Sequence, residues 1–140
     1  MTDYDLAIIG WGAAGFAAAI KASELTSGQM HIALIGKGPL GGTCVNVGCV
    51  PSKLMIEASK TYHEANHKKY DGISGGASLD FGKFMEYLNK FVGEERKGKY
   101  TDVIENFKNV ELIEGEAKFT GEDTVDVNGR SIKATNFISW

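Results

Sequence analysis

Six residues near the N-terminus, Gly10-Trp11-Gly12-Ala13-Ala14-Gly15, constrain the fold more than any other stretch of the chain. They join a short apolar run, Tyr4 to Ile9, to an alanine-rich stretch from Ala13 to about Leu25. An apolar run bounded by acidic residues and glycine suits a strand buried on both faces. Alanine has the highest helix propensity, and Thr26-Ser27-Gly28 supplies the stop. His31 to Ile35 then reads as a second buried strand. Strand, helix and strand in such quick succession force a parallel pair with a right-handed crossover.

In that setting the G-x-G-x-x-G spacing has a mechanism. Gly10 allows the tight turn, Gly12 lets a pyrophosphate approach the backbone, and Gly15 lets helix and strand pack closely. The helix start at Ala13 and Ala14 offers free N–H groups to the phosphates. A structural turn without a ligand is the competing reading of the same glycines. The fingerprint also asks for Asp or Glu at the end of the second strand, to bind a ribose hydroxyl. That place is held by Gly36, with Lys37 beside it. Losing a charged hydrogen bond costs about 1.5–3 kcal/mol, so weakened dinucleotide affinity is expected there.

Composition narrows the class further. The chain has 140 residues, 43% hydrophobic and 24% charged, which suits one soluble globular domain with no internal boundary. A net charge of −3 without a basic patch argues against nucleic-acid or anionic-membrane partners. Leu6 to Ile20 is largely apolar, but Asp3 and Asp5 precede it where a secretory signal carries Lys or Arg. It is also shorter than the roughly 18 residues of a membrane span. A cytoplasmic protein is expected.

Gly36 to Thr43 is too rich in glycine for regular structure. A helix is predicted from about Pro51 to His67, with Leu54, Met55, Ala58 and Tyr62 on one face. Lys68 to Ser78 reads as a loop. Asp80 to about Phe107 reads as a helix broken near Gly93 or Gly98, with Phe84, Leu88, Phe91 and Val92 as its inward stripe. The remainder reads as strands at Val110–Ile113, Ala117–Thr120, Thr124–Val127 and Ser131–Ile138, and Asn128-Gly129 between the last two signals a hairpin.

Cys44 and Cys49 lie five apart, after a double glycine and before Pro51. With Gly48 between them, the chain can fold back and close a small, reducible ring. Pro51 suits the first turn of a helix, whose dipole is expected to lower a nearby thiol pKa. This reads as a redox dithiol; two inert reduced cysteines remain the alternative on spacing alone.

The words around the cysteines carry more than their spacing. Gly41-Gly42-Thr43-Cys44-Val45-Asn46-Val47-Gly48-Cys49-Val50-Pro51-Ser52-Lys53 resembles the active-site segment of the flavin-dependent pyridine nucleotide–disulfide oxidoreductases. Val45, Val50 and Ser52 make it most similar to the mercuric reductases within that family; dihydrolipoamide dehydrogenases and glutathione reductases usually differ at these places. The resemblance implies an α/β, Rossmann-like FAD-binding domain, with a parallel sheet built on the βαβ unit and a small antiparallel meander. Residues 1–140 are then the N-terminal part of that domain, which is incomplete relative to the family. It implies FAD at Gly10, Gly12, Ala13, Ala14 and Gly15, with Gly36, Lys37 and Gly41 close by. Gly42 and Thr43 would touch its phosphates or flavin, Lys53 would sit near the flavin, and the backbone at Ala117 would meet the adenine. Cys44 would be the interchange thiol that meets substrate, and Cys49 the charge-transfer thiolate. Electrons would pass from NADPH or NADH, bound elsewhere, through flavin to the disulfide and on to a small-molecule or metal-ion substrate, Hg(II) first among them. The full-length protein would be a homodimer, and these residues by themselves would be inactive. Dihydrolipoamide or glutathione reductase-like activity is the alternative, and a nucleotide-binding fragment without catalysis is the second.

Three further patterns compete for chemistry. His63-Glu64-Ala65-Asn66-His67 matches the H-E-x-x-H of zinc hydrolases, with Glu86 the tempting third ligand, but no protease-like cleft accompanies it. Gly36 to Thr43 lacks the Lys-Ser or Lys-Thr of a phosphate loop. Glu94-Glu95-Arg96-Lys97 mixes signs within one turn, which suits a solvated helix face.

Overall fold

The computed structural model describes residues 3–67 and 70–139. Lys68, where the predicted loop begins, and Trp140 lie outside them. The predicted βαβ unit is present: β1 (Tyr4–Ile9), α1 (Ala13–Leu25) and β2 (Ile32–Gly36). β1 and β2 run parallel, Leu6 beside Ile32 and Ile9 beside Ile35. β3 (Val110–Glu114) extends the parallel sheet beyond β2, and the ten-residue β6 (Arg130–Ser139) lies on the other side of β1.

β6 belongs to two sheets. Its C-terminal part pairs parallel with β1, from Ala134 beside Tyr4 to Ser139 beside Ile9. Its N-terminal part pairs antiparallel with β5 (Thr124–Val127), which in turn pairs with β4 (Ala117–Phe119). Asn128 and Gly129 join β5 to β6 at φ of 54° and 83°, the doubly left-handed two-residue turn that Asn-Gly favours. The result is the expected α/β fold with a parallel sheet and an antiparallel meander.

Strand alternation sends two sets of side chains to opposite faces of the parallel sheet. Ala7, Ala33, Ile35 and Ile113 meet Val125, Val127, Ile132 and Ala134 of the meander. Leu6, Ile8, Ile32 and Leu34 meet Phe16 and Ala19 of α1 and Ile104. The sheet is thus covered by the meander on one side and by helices on the other.

The middle of the chain departs from expectation in detail. The glycine-rich stretch predicted to be irregular gives way at Gly42 to a short helix, α2 (Gly42–Asn46). The next helix, α3 (Cys49–Asn66), starts two residues before Pro51, so that Cys49 is its first residue. α4 (Phe81–Arg96) follows, its N-cap Asp80 accepting the Lys83 N–H, with Leu88 and Val92 buried and Phe84 and Phe91 half-buried as the stripe required. No break occurs at Gly93. Instead the helix widens into a π-turn over Lys97–Thr101, which contains Gly98, and ends in α5 (Asp102–Ile104). Met55, Ala58 and Tyr62 of α3 face Phe81 and Phe84 of α4 across a partly open groove, so α3 keeps only Pro51 fully buried. Among the described residues no helix is long and apolar enough to cross a membrane.

Candidate functional site

Two glycine segments meet at the C-terminal ends of the parallel strands. Gly10 leaves β1 at φ 111° and donates its N–H to Ile35 at 2.7 Å. Gly12 caps α1 through its carbonyl, which accepts the Phe16 N–H at 2.9 Å. The N–H groups of Ala13, Ala14 and Gly15 therefore have no carbonyl one turn earlier to bond. Gly41 N–H donates to the Trp11 carbonyl at 3.1 Å, and Gly12 and Gly41 form a parallel bridge. A Cβ on Gly42 would lie 2.9 Å from the Gly12 Cα, so the two backbones approach this closely only because residue 42 has no side chain. A Cβ on Gly12 would meet nothing within 4 Å, so the space in front of the helix start is open. Buried Gly15 lies where α1 meets the sheet. The chemistry of this cradle, unpaired N–H groups beside open space at a helix start, fits a pyrophosphate.

At the end of β2 the structure explains the missing acid. Gly36 is buried and pairs with Glu114, and a Cβ there would sit 2.3 Å from Trp11 Cγ and Cδ2. The indole, 8% exposed, lies on the Gly36 backbone and fills the space in which a Glu or Asp side chain would begin. Its Nε1–H is buried without a hydrogen-bond partner among the described residues. Lys37 pairs with Glu116 at 3.4 Å, both largely exposed. Gly115 N–H donates to the Gly36 carbonyl at 2.8 Å, which brings Ala117, the first residue of β4, near this end of β2. The cradle is thus open in front of the start of α1 and closed by the indole at the end of β2.

The cysteines follow immediately. A Cβ on Gly48 would lie 2.9 Å from the Thr43 carbonyl oxygen, so glycine there lets the chain double back from α2 into α3. Both cysteines are exposed and reduced, and the Cys44 thiol hydrogen-bonds with Cys49. That bond, with some desolvation and the Cys49 charge, pushes the Cys44 pKa up; the backbone N–H of Cys49 and the charge of Lys53 oppose it. At Cys44, in α2 rather than at the start of α3, the neighbouring sulfur outweighs these opposing influences and favours the thiol form. Lys53 is exposed one turn into α3, and Thr43 is exposed on α2.

One side chain between the cysteines was missed by sequence reasoning. Asn46 Nδ2–H donates to the carbonyls of Gly42 at 2.7 Å and Leu40 at 3.0 Å. Its Oδ1 accepts from Arg96 Nη1 at 2.8 Å. Arg96 was expected on a solvated face; it is instead half-buried and reaches from α4 to the cysteine segment. An Asn in a five-residue helix is a signal for side-chain-to-backbone bonding, whereas nothing in the sequence marks Arg96. Tyr100, on the π-turn, crosses Phe16 edge-to-face at 4.8 Å and lies where a Gly41 Cβ would point, 2.9 Å from its ring.

The H-E-x-x-H pattern assembles no metal centre. The His63 and His67 rings stack 3.7 Å apart, and His67 Nδ1 lies 2.8 Å from the His63 carbonyl. Among the described residues no three His, Cys, Asp or Glu side chains lie together as metal ligands.

Residues 4–138 match the family model described as pyridine nucleotide-disulphide oxidoreductase. The chain is 43% identical over 137 residues to a mercuric reductase of Bacillus cereus, covering 97% of this chain and 21% of that protein. It is 39% identical over 132 residues to a dihydrolipoyl dehydrogenase of Geobacillus stearothermophilus, covering 93% and 27% respectively. In fold it is similar to the HOCl-induced flavoprotein disulfide reductase RclA of Escherichia coli, with a TM-score of 0.78 at 24% identity, over 98% of this chain and 28% of that one. The chain thus spans about a quarter of the length of the relatives it matches. It belongs to the pyridine nucleotide-disulphide oxidoreductase family.

Proposed function

We propose that this chain is the N-terminal part of an FAD-binding domain whose Cys44–Cys49 pair passes electrons from flavin to a substrate, with Hg(II) the substrate favoured over a disulfide. One observation carries the redox reading: the contact of Gly42 with Gly12, which sets the cysteine segment against the open end of the phosphate cradle. FAD, when bound, supplies a two-electron store. The N–H groups of Ala13, Ala14 and Gly15 hold its pyrophosphate, and Gly12 leaves room for it. Thr43 and Lys53 would serve its redox end, and the backbone at Ala117 its adenine end. Lys37, held by Glu116, would stand in for the usual acid near the ribose, since Gly36 offers none.

At the pair, the oxidised form takes up two electrons and two protons, breaking one S–S bond and giving two thiols. The neighbouring Cys49 holds the Cys44 thiol pKa above its ordinary value, which favours the protonated form at that sulfur. Two soft sulfurs five residues apart suit a soft ion such as Hg(II). The valines at positions 45 and 50, with the higher identity to mercuric reductase, support the metal-ion reading. NADPH or NADH as donor, and a homodimeric cytoplasmic protein, belong to the same proposal.

The test has two stages. The chain is titrated with FAD, and Gly12→Val is expected to abolish binding while leaving the fold intact. The full-length protein is then assayed for NADPH oxidation dependent on Hg(II), with loss expected in both Cys44→Ser and Cys49→Ser. Turnover of lipoamide or oxidised glutathione without mercury would refute the mercury assignment and keep the redox pair; a full-length protein that binds no FAD would refute the domain assignment.

A further inference from the structure

We propose that Arg96 is a positioning residue for the cysteine pair: its guanidinium, bonded to Asn46, fixes the segment between Cys44 and Cys49 and so sets how readily the two thiols close to a disulfide. The inference rests on the redox reading of that pair.

The geometry is a short relay. Asn46 lies between the two cysteines, and its carboxamide ties α2 to the backbone at Gly42 and Leu40, at 2.7 and 3.0 Å. Those bonds use both amide hydrogens, toward the start of α2 and the loop before it, and leave Oδ1 to face α4. Arg96 Nη1 fills that place at 2.8 Å, across fifty residues of chain. A guanidinium cannot lose its proton and has no acceptor role, so it holds the carboxamide in one orientation only, with Nδ2 toward the carbonyls. Arg96 is the last residue of α4 before the helix widens into the π-turn, and such insertions recur at functional sites. Four residues on, Tyr100 lies against Gly41. The helix thus grips the cysteine segment at two points, at Asn46 between the sulfurs and at Gly41 just before them.

Closing the ring costs less entropy when the segment is already held in place. Oxidation of the pair removes two electrons and two protons from the thiols and forms one S–S bond. With oxidised glutathione as the acceptor, its S–S bond breaks and two molecules of reduced glutathione form. Arg96 takes no part in that exchange. Its contribution is to the effective concentration of one sulfur at the other, so its loss raises the reduction potential of the pair.

The experiment is equilibration of the protein in glutathione redox buffers, with trapping of free thiols and mass analysis. Arg96→Met is expected to lower the equilibrium constant for disulfide formation about tenfold, a rise of roughly 30 mV. Arg96→Lys, a single point charge in place of the fork, is expected to fall between the two. Lys90→Met, an exposed site on the same helix, controls for a general effect on α4 and is expected to leave the potential unchanged. A potential unchanged or lowered in Arg96→Met, with the far-UV spectrum of the folded protein retained, overturns the inference. If Arg96→Met does not fold, Arg96→Lys decides by the same criterion. A wild-type pair that forms no intramolecular disulfide in any of these buffers refutes the redox reading itself, which separates the two failures.

Discussion

Gly36 and Trp11 should behave as one unit in a double-mutant cycle. Adding a methyl group at Gly36 places a carbon 2.3 Å from Cγ and Cδ2 of the indole and 2.7 Å from Cδ1. Ordinary contact begins near 3.4 Å, so the ring or the strand must move by about 1 Å. The ring has little room to move: Trp11 is packed within the cluster of Leu6, Ile8, Phe16 and Leu34, with Leu40 and Tyr100 at its margin. Overpacking typically costs 1–3 kcal/mol, and overlap with three ring atoms at once puts Gly36→Ala near the upper end, about 2–3 kcal/mol. For a chain of this length that is a fall in Tm of roughly 7–10 °C. Trp11→Ala alone costs about 3–5 kcal/mol through the cavity it leaves. In that background the clash is gone, and Gly36→Ala should be neutral or slightly stabilising, since alanine loses less chain entropy than glycine in a strand. The expected coupling is about 2–3 kcal/mol in favour of the double variant, read from urea unfolding followed by circular dichroism. A coupling below about 0.5 kcal/mol, the level of independent sites, would refute the argument that the indole excludes a side chain at position 36.

Four shorter predictions follow from the same structure. Gly36→Glu should fail to strengthen FAD binding unless Trp11→Gly accompanies it, as measured by flavin fluorescence titration. Replacing Cys49 with Ala should move the pH–rate profile for alkylation of Cys44 to lower pH, because the hydrogen bond that raises this thiol is lost. Burial first, then the hydrogen bond to Glu111 at 2.5 Å, pushes the Tyr4 phenol from 10.0 to about 12. Its folded pKa is raised, so the stabilisation is full below pH 10 and is lost as pH rises toward 12; Tyr4→Phe should flatten that part of a stability–pH curve. Gly93→Ala should stabilise the protein by about 0.5–1 kcal/mol in chemical unfolding, since its methyl group meets nothing within 4 Å inside α4.

Much of the scaffold was legible because local pattern and tertiary need agree in it. β1, α1 and β2 appear within a residue of expectation, since a strand buried on both faces must be continuously apolar. Asn128-Gly129 specified its own turn, and the stripe on α4 its own buried side. The cysteine region was less legible because there the backbone is decided by partners far along the chain. Glycine at 41 and 42 reads as irregular, yet α2 forms, with Asn46 tying its end to the backbone and α4 holding that amide. Nothing local distinguishes Arg96 from its solvated neighbours; only the fold brings it to Asn46. The empty acid position at Gly36 read as a defect in the nucleotide site. It is the complement of Trp11, and a pairing of residues 25 apart in sequence leaves no periodic trace. The raised thiol at Cys44 escaped for a related reason, since a helix start was weighed without the sulfur that faces it.

The strand shared by both sheets has a consequence for how the molecule is made. β6 closes against β1, where the Asn136 carboxamide donates to the Asp5 carbonyl across 131 residues. During synthesis β1, α1 and β2 leave the ribosome early, yet one side of β1 has no neighbour until β6, more than a hundred residues later, has been translated. For that interval the apolar edge of Leu6–Ile9 stands open to other nascent chains. Parallel pairing across so large a separation is also slow, because loop closure precedes any gain from contact. Recombinant yield should therefore depend on growth temperature and chaperone supply more steeply than the stability of the finished protein suggests.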